Sequence, residues 1–176
     1  MSRRADKKAD PRPLDDVDRR ILQILERDAQ TDPRQIAIML GLSEADVAAR
    51  IANAEALGAI VRRKVVVNWE RAGEPFVLAL IEVKVAPQRE TGFDAIAERI
   101  YRFPEARSVY LVSGTYDLAV HVAGRTMQDV ATFVAEKLAP LDGVQSTVTH
   151  FMLRRYKEDG DILVGHERAE RLAITP

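Results

Sequence analysis

A helical repeat that is interrupted once, over residues 33–58, constrains the fold more than any other feature of this sequence. The break falls at Gly41-Leu42-Ser43, where glycine permits the positive φ with which many helices end. Ser43 can then cap the first turn of the next helix, and the small Ala37 lets the two helices approach closely. This pattern predicts a helix-turn-helix, with a generic helical hairpin as the alternative. The apolar residues that recur at helical spacing are Ile36, Leu40, Leu42, Val47, Ile51, Ala54 and Leu57.

Composition excludes several classes of protein. The chain has 176 residues, of which 47% are hydrophobic and 30% charged, as in ordinary globular proteins of one or two domains. No apolar run approaches the length of a membrane span, and no apolar segment follows the basic N-terminus as in a secretory signal. The absence of cysteine excludes disulfides, thiol nucleophiles and thiolate metal sites, and fits a cytoplasmic protein. Because the net charge is −1, any affinity for nucleic acid must come from local basic clusters.

The N-terminal part of the chain predicts a basic arm followed by a winged helix-turn-helix over residues 14–68. Residues 1–13 are basic and proline-containing, which favours a disordered arm that contacts phosphates or is simply solvated. Asp15 or Asp16 can cap a first helix that runs to about Asp28. After Gly58, the β-branched run over 60–67 predicts a strand or small wing. The inner face predicted for the first helix comprises Val17, Ile21, Leu22, Ile24 and Leu25.

The remaining chain predicts a linker over 69–75 and a ferredoxin-like domain over 76–156, so the fold class is α+β. Strands are expected at 76–85, 108–113, 117–122 and 145–155, and helices at 93–101 and 127–138, in the order β-α-β-β-α-β. Helices would cover one face of the sheet, and an apolar uncovered face would favour a homodimer. The tail, 157–176, is apolar enough for another strand or an arm that crosses to a second subunit. The apolar residues expected on the uncovered face are Val83, Val109, Leu111, Val120, Val122 and Val148.

This arrangement resembles the Lrp/AsnC, or feast/famine, family of transcription regulators over about residues 14–156. The resemblance rests on five segments: Leu14-Asp15-Asp16-Val17-Asp18-Arg19-Arg20-Ile21-Leu22, Leu40-Gly41-Leu42-Ser43, Leu57-Gly58-Ala59-Ile60, Val112-Ser113-Gly114-Thr115-Tyr116-Asp117 and Gly143-Val144-Gln145-Ser146-Thr147-Val148-Thr149. It implies the winged helix followed by a ligand-sensing domain of the RAM/Lrp type. It also implies DNA binding through the N-terminal domain and dimers that assemble into tetramers or octamers. Small effectors, usually amino acids, would bind between the dimers.

The second helix of the helix-turn-helix is the candidate DNA-reading element, although its composition is unusual for one. Arg50 is its only basic residue, and its outward positions are mostly alanine, which discriminates little between bases. The basic segment Arg62-Arg63-Lys64 suits phosphate contacts, and a solvated edge is the alternative. We therefore expect modest, salt-sensitive DNA binding. The DNA-binding candidates are Arg34, Ser43, Glu44, Ala45, Ala48, Ala49, Arg50, Arg62, Arg63 and Lys64.

A strand-turn-strand corner is the candidate effector site. Gly114 permits close approach of the backbone to a carboxylate, and Asp117 can accept hydrogen bonds from an ammonium group. Thr115 stands where many relatives have an acidic residue. A plain turn with an already satisfied aspartate is the alternative. The effector-binding candidates are Ser113, Gly114, Thr115, Tyr116, Asp117, Ser146, Thr147 and Thr149.

Catalysis has little support in the sequence. His121, His150 and His166 are far apart, and no nucleophile-base pair, phosphate loop or metal-ligand spacing is present. We therefore expect no metal and no cofactor. The sirohaem decarboxylases, which pair two Lrp-like domains around a tetrapyrrole, keep an enzymatic alternative open. A further alternative is a ligand-sensing or architectural partner of other regulators in which the alanine-rich helix no longer reads DNA.

Overall fold

A computed structural model describes residues 11–86 and 92–164. The chain divides into two compact units, Met1–Val66 and Val67–Pro176. Most of the predicted basic arm and the end of the predicted tail lie outside the described residues.

Three helices form the first unit, as the sequence predicted: α1 (Asp16–Arg27), α2 (Pro33–Leu40) and α3 (Glu44–Ala56). Each begins at a residue whose side chain accepts a hydrogen bond from a free backbone N–H of the first turn, namely Asp15, Asp32 and Ser43. Gly41 ends α2 with φ +70, the left-handed conformation that favours glycine. The turn between α2 and α3 is therefore specified locally, by one glycine and one serine.

The core of this unit lies where the three helices meet. In α1 and in α3 its apolar members are spaced four residues apart, so they share one face of the helix, and α2 contributes the adjacent pair Ile36 and Ala37. Asp18 is also buried here, with 2% of its surface exposed. The buried apolar residues are Ile21, Leu25, Ile36, Ala37, Val47 and Ile51.

The predicted strand or wing over 60–67 is not formed. These residues have no assigned secondary structure, and within the described chain residues 61–67 make no backbone hydrogen bond to another segment. A β-branched sequence favours an extended backbone, but a strand also needs a partner for its N–H and C=O groups. Val61 and Val65 are accordingly exposed, at 89% and 72%. The segment is an exposed connection that carries Arg62-Arg63-Lys64.

The second unit contains the predicted β-α-β-β-α-β order. Its strands are β1 (Val77–Val85), β2 (Ala106–Leu111), β3 (Leu118–Gly124) and β4 (Val144–Phe151), and its main helices are α5 (Asp94–Tyr101) and α6 (Met127–Phe133). The strands form one antiparallel sheet in the order β2-β3-β1-β4. Side chains of α5 and α6, such as Ile96, Ile100, Val130 and Phe133, pack on one face of this sheet to form the core.

The local differences from the predicted elements are at connections and ends. The predicted linker contains a single helical turn, α4 (Trp69–Ala72), which Asn68 caps and Gly73 ends with φ +74. The helix predicted over 127–138 continues beyond α6 as a π-helical turn, Val134–Leu138. The last sheet strand stops at Phe151, and a short hairpin follows, β5 (Lys157–Glu158) with β6 (Asp161–Ile162).

The strand register corrects the prediction of which apolar residues lie on the uncovered face. Val83 pairs with Leu118, so both side chains point to the same side, and both are fully buried. Val120 and Val122 are also buried on this helix-covered side, to which the register assigns Val109 and Leu111 as well. Among the predicted residues, only Val148, opposite Glu82, lies on the uncovered face. Sequence alternation identifies two faces, but only tertiary packing decides which one the helices cover.

The uncovered face of the sheet is mixed rather than uniformly apolar. Val148 and Tyr110 are half exposed there, at 50% and 53%. His150 follows Val148 on the same face of β4, with its Nε2 3.2 Å from Oε1 of Glu82. The other residues that the register assigns to this face include Leu78, Leu80, Lys84, Ala119, His121 and Ser146.

Candidate functional site

The outer face of α3 consists of alanine. Ala45, Ala49, Ala52 and Ala56 follow one another at intervals of four and three residues, and all are exposed. Ala48 is exposed on one flank of this face, next to Glu44 and Glu55. The opposite flank carries Asp46, Arg50 and Asn53, which are only partly exposed. The candidate DNA-reading helix therefore presents methyl groups outward and keeps its basic side chain to one side.

Arg50 is held by three carboxylates instead of being free to reach DNA. Its Nη1 lies 2.9 Å from oxygens of Asp15 and of Asp18, and its Nε lies 3.1 Å from Oδ2 of Asp46. Only 17% of the side chain is exposed. Because Asp15 and Asp18 belong to the start of α1, Arg50 links α3 to α1. In this structure Arg50 is therefore engaged within the unit, and its contact with DNA stays a prediction.

Asp18 is the buried centre of this ion cluster. Its carboxylate also accepts hydrogen bonds from Arg12, at 2.7 and 2.9 Å, and from the backbone N–H of Asp15 at 2.8 Å. Burial by itself would raise the pKa of Asp18, but the hydrogen bonds from Arg12, from the Asp15 backbone and from Arg50 outweigh it and hold the pKa well below its ordinary value. A carboxylate in this setting is ionised whenever the unit is folded at neutral pH.

The ion cluster predicts that the first unit loses stability in acid. A carboxyl group whose pKa is lower in the folded state stabilises the fold above its unfolded value of 3.8, and that stability falls as the pH drops toward the folded value. We expect amide protection in α1 and α3, measured by hydrogen exchange, to decrease from about pH 4 downward. In an Asp18→Asn variant this decrease should be much smaller, because the substituted amide does not titrate. An equally steep decrease in the variant would contradict the role given to Asp18.

Asn53 is likewise engaged within the unit. Its side-chain oxygen accepts from the backbone N–H of Arg12, and its side-chain amide donates to the Arg12 carbonyl, both at 2.9 Å. These paired bonds fix residue 12 against α3. The predicted disordered arm thus ends sooner than residue 13, because Arg12 is anchored by Asn53 and Asp18.

The acidic residues at the start of α3 have a structural explanation. Glu44 and Asp46 lie in the first turn, where the positive end of the helix dipole favours negative charge. Ser43 accepts from the backbone N–H of Asp46 at 3.1 Å. Glu55, near the other end, forms an ion pair with Arg63 at 3.1 Å.

Among the predicted DNA-binding residues, three cations remain available for phosphate. Arg34 at the start of α2, Arg62 and Lys64 are exposed and have no carboxylate partner within residues 11–86 and 92–164. Arg63 would have to leave Glu55 to join them. Ile38 and Met39, which the sequence did not single out, are also exposed on α2, at 75% and 62%.

The second unit brings the two halves of the candidate effector site to one end of the sheet. Val83 in β1 pairs with Leu118 on one side and with Thr147 on the other. Asp117, which precedes Leu118, and Ser146, which precedes Thr147, therefore flank the end of β1 from opposite sides. Ser113, Gly114 and Thr115 are exposed in the adjoining turn and Tyr116 is partly buried. Gly114 has φ +152, which favours glycine.

Asp117 is already hydrogen-bonded within its own unit. Its Oδ2 accepts from the backbone N–H of Val85 at 2.8 Å, at the point where the register between β1 and β4 shifts. Its carboxylate also lies 3.4 Å from Nζ of Lys84. Lys84 was not among the predicted site residues, although a lysine within a largely apolar strand was visible in the sequence.

The hydroxyl residues of β4 separate onto two faces of the sheet. Ser146 is exposed opposite Lys84, on the uncovered face. Thr147 and Thr149 pair with Val83 and Ile81, whose side chains are buried under the helices. Strand alternation thus joins Ser146 to Lys84 and Asp117 but places both threonines on the opposite face. The expectation that all three hydroxyls line one pocket is corrected.

Over 11–86 and 92–164, no group of three or more histidine, aspartate or glutamate side chains is arranged to hold a metal ion. His166 lies outside that range. Within the same residues, no helix is long and apolar enough to cross a membrane.

Comparison with known families assigns both units. Residues 14–55 match the AsnC-type helix-turn-helix domain, and residues 78–162 match the Lrp/AsnC ligand binding domain. The two matches cover the α1–α3 unit and the sheet with its hairpin. They describe transcriptional regulators and not enzymes, which confirms the expectation of a non-enzymatic protein.

Individual relatives agree with the family models. An uncharacterised HTH-type transcriptional regulator of Bacillus subtilis, YugG, is 42% identical over 93% of this chain and 99% of its own length. The crystal structure of MtbAldR superposes with a TM-score of 0.71 at 26% identity, covering 82% of this chain and 97% of that one. A Neisseria meningitidis regulator, solved as a complex with L-Met, superposes with a TM-score of 0.67 at 22% identity. The superposition covers 83% of this chain and 94% of that one. The chain is therefore a helix-turn-helix transcriptional regulator of the Lrp/AsnC family, with a DNA-binding unit and an effector-binding unit.

Proposed function

We propose that the effector of this regulator is a small amino acid that binds where Lys84, Asp117 and Ser146 meet. The observation that carries the proposal is the ion pair between Lys84 and Asp117 beside a glycine-containing turn. Side chains of opposite charge at one place match a zwitterion, whose ammonium and carboxylate groups are two bonds apart. The family model, which describes this unit as a ligand binding domain, supports the choice of site.

Binding would replace the ion pair with two charged contacts to the ligand. Asp117 would accept from the ammonium group, while Lys84 and the backbone N–H of Gly114 would donate to the carboxylate. Lys84 is 43% exposed, so its pairing with Asp117 contributes less than about 1 kcal/mol and is readily exchanged. The bond from the Val85 backbone to Asp117 would remain and would keep the carboxylate in position.

The assembly that we propose is a homodimer through the uncovered sheet face, which associates further to a tetramer or octamer. Leu80, Tyr110 and Val148 supply apolar surface on that face, and a symmetric partner would remove it from water. The effector would act by binding two assembly states with different affinity, which changes the spacing of the DNA-binding units. Because its target is chromosomal DNA, we place the protein in the cytoplasm.

The effector site is tested by a thermal-shift screen of the twenty amino acids against the full-length protein. We expect at least one amino acid to raise the Tm of the wild type in proportion to the logarithm of its concentration. Lys84→Gln and Asp117→Asn should each abolish that shift. We prefer Asp117→Asn to the corresponding alanine variant because asparagine retains an acceptor for the Val85 N–H and so preserves the turn.

A Thr149→Val variant is the matched control, since Thr149 faces the helices and should respond like the wild type. Equal elution volumes in size-exclusion chromatography would show that the variants keep their assembly. A shift that persists in Lys84→Gln and Asp117→Asn would place the pocket elsewhere. If no amino acid shifts the wild type, the effector belongs to another chemical class.

A second function is favoured by the exposed Ile38 and Met39 on α2 and by the internal pairing of Arg50. In this alternative the first unit contacts another protein and no longer reads base sequence, so the chain is a sensing or architectural partner of other regulators. The DNA titration described in the Discussion separates the two functions.

A further inference from the structure

We propose that α3 reads base sequence mainly through the methyl groups of thymine. The proposal rests on the DNA-binding function, which places α3 in the major groove as the second helix of the helix-turn-helix. The site is thus identified by the motif, and the structure adds what the helix presents to the base edges.

The first observation is that both donor-bearing side chains of α3 are engaged within the unit. Arg50 and Asn53 are its only side chains with the guanidinium or amide donors that distinguish guanine or adenine in the major groove. Arg50 is bound to Asp15, Asp18 and Asp46, and Asn53 uses both of its polar atoms on the Arg12 backbone. Releasing Arg50 would leave the buried Asp18 carboxylate with one partner fewer, at a cost larger than a single base contact returns.

The second observation is the geometry of the outer face. The side chains of Ala45, Ala49, Ala52 and Ala56 project in one direction over three helical turns, about 16 Å along the axis. Their shortness allows the helix backbone to approach the floor of the groove closely. There the thymine C5-methyl is the one apolar group that a base presents, and alanine is among the residues that contact it. Ala45 and Ala49, toward the N-terminal end of α3, are the positions from which recognition helices reach bases.

The polar groups near this face add no guanidinium or amide donor. The hydroxyl oxygen of Ser43 accepts from the Asp46 N–H, and Glu44 offers only acceptors. Glu44 can therefore accept from the amino group of adenine or cytosine but gives nothing to the acceptors of guanine. The operator should thus contain thymines at the positions under α3, with phosphate contacts supplied separately by Arg34, Arg62 and Lys64.

The experiment removes the methyl groups alone. The preferred site of the full-length protein is first selected from a pool of random duplex DNA. Binding is then measured to that site with thymine or with deoxyuracil, which lacks the methyl group but keeps every hydrogen-bonding atom. We expect each contacted methyl that is removed to weaken binding about fourfold, which corresponds to about 0.8 kcal/mol for one buried methyl-sized group. Affinity for scrambled DNA should not change.

Two matched substitutions sharpen the test. Exchanging a contacted T·A pair for C·G should weaken binding, and 5-methylcytosine at the same position should restore part of it, since only the methyl group returns. Ala49→Ser, which replaces the methyl with a polar hydroxymethyl group, should reduce the discrimination between thymine and deoxyuracil, whereas Ala131→Ser on the exposed surface of α6 should not.

The outcomes distinguish this inference from the function on which it rests. Equal affinity for the thymine and deoxyuracil sites, with both preferred over scrambled DNA, would overturn methyl recognition and leave sequence-specific DNA binding intact. Failure of the selection to enrich any site would overturn both.

Discussion

Replacing Arg50 with methionine should destabilise the first unit by about 3 kcal/mol, a value typical of removing one partner from a buried ion pair. Methionine keeps most of the length of the side chain and removes the charge. Asp18, whose side chain is 1% exposed, would then retain Arg12 as its only guanidinium partner. Asp46 and Asp15 would lose the cation that lies between them, and α3 would lose its polar link to α1.

Hydrogen exchange followed by mass spectrometry is the suitable measurement because it resolves the two units. The only tryptophan, Trp69, belongs to the second unit, so its fluorescence would not report this change. Protection should fall in α1 and α3 and stay constant in β1 and β3. Arg34→Met, at an exposed site without a carboxylate partner in the described chain, should change stability by less than about 0.5 kcal/mol. Similar losses in the two variants would argue against the ion cluster.

Neutralising Arg62, Arg63 and Lys64 together, each by glutamine, should weaken DNA binding about 50-fold at 0.1 M salt. Each phosphate contact contributes about 0.9 to the slope of log K against log salt concentration, and loss of one contact at 0.1 M costs nearly tenfold. Of the three substituted residues we count only Arg62 and Lys64 as phosphate contacts, because Arg63 is paired with Glu55. The slope should therefore fall by about 2, as measured by fluorescence anisotropy with the chain's own upstream DNA at several salt concentrations.

The matched control neutralises three cations of the second unit, Arg99, Arg102 and Lys137, each of which is paired with a carboxylate. This control changes the net charge equally and should leave the slope unchanged. An unchanged slope in the Arg62, Arg63 and Lys64 variant would mean that the connection does not touch DNA. If the wild type binds its upstream DNA and scrambled DNA equally at low salt, α3 no longer reads sequence, and the partner function with exposed Ile38 and Met39 is favoured.

Local signals in the sequence were sufficient for the helices of the first unit and for most of the sheet. Ser43 and Gly41 determine a cap and a helix end through interactions within a few residues, which a linear pattern contains. The prediction of a strand over 60–67 was wrong because strand formation needs hydrogen bonds to a distant segment. Propensity alone does not show that such a segment is missing.

The candidate sites depended more on tertiary structure. Arg50 looked like a DNA contact because it is the only basic residue of α3, but Asp15 and Asp18 are 35 and 32 positions away in the chain. Lys84 becomes a candidate effector-binding residue because the fold places it beside Asp117, which lies 33 residues later in the chain. Strand alternation places Thr147 and Thr149 on the sheet face opposite to that of Ser146, so they are not part of the site proposed around Lys84 and Asp117.

The sequence by itself determined the element order, the turn between α2 and α3 and the family, since each is encoded in short-range spacing of residue types. Tertiary structure alone decided which sheet face the helices cover, and that Arg50 and Asn53 are hydrogen-bonded within the unit. The physical reason is that burial and charge pairing depend on neighbours brought together from distant parts of the chain. The sequence shows which polar atoms a side chain carries. Whether those atoms are available to a ligand or to DNA depends on which other atoms of the folded chain lie within about 3 Å of them.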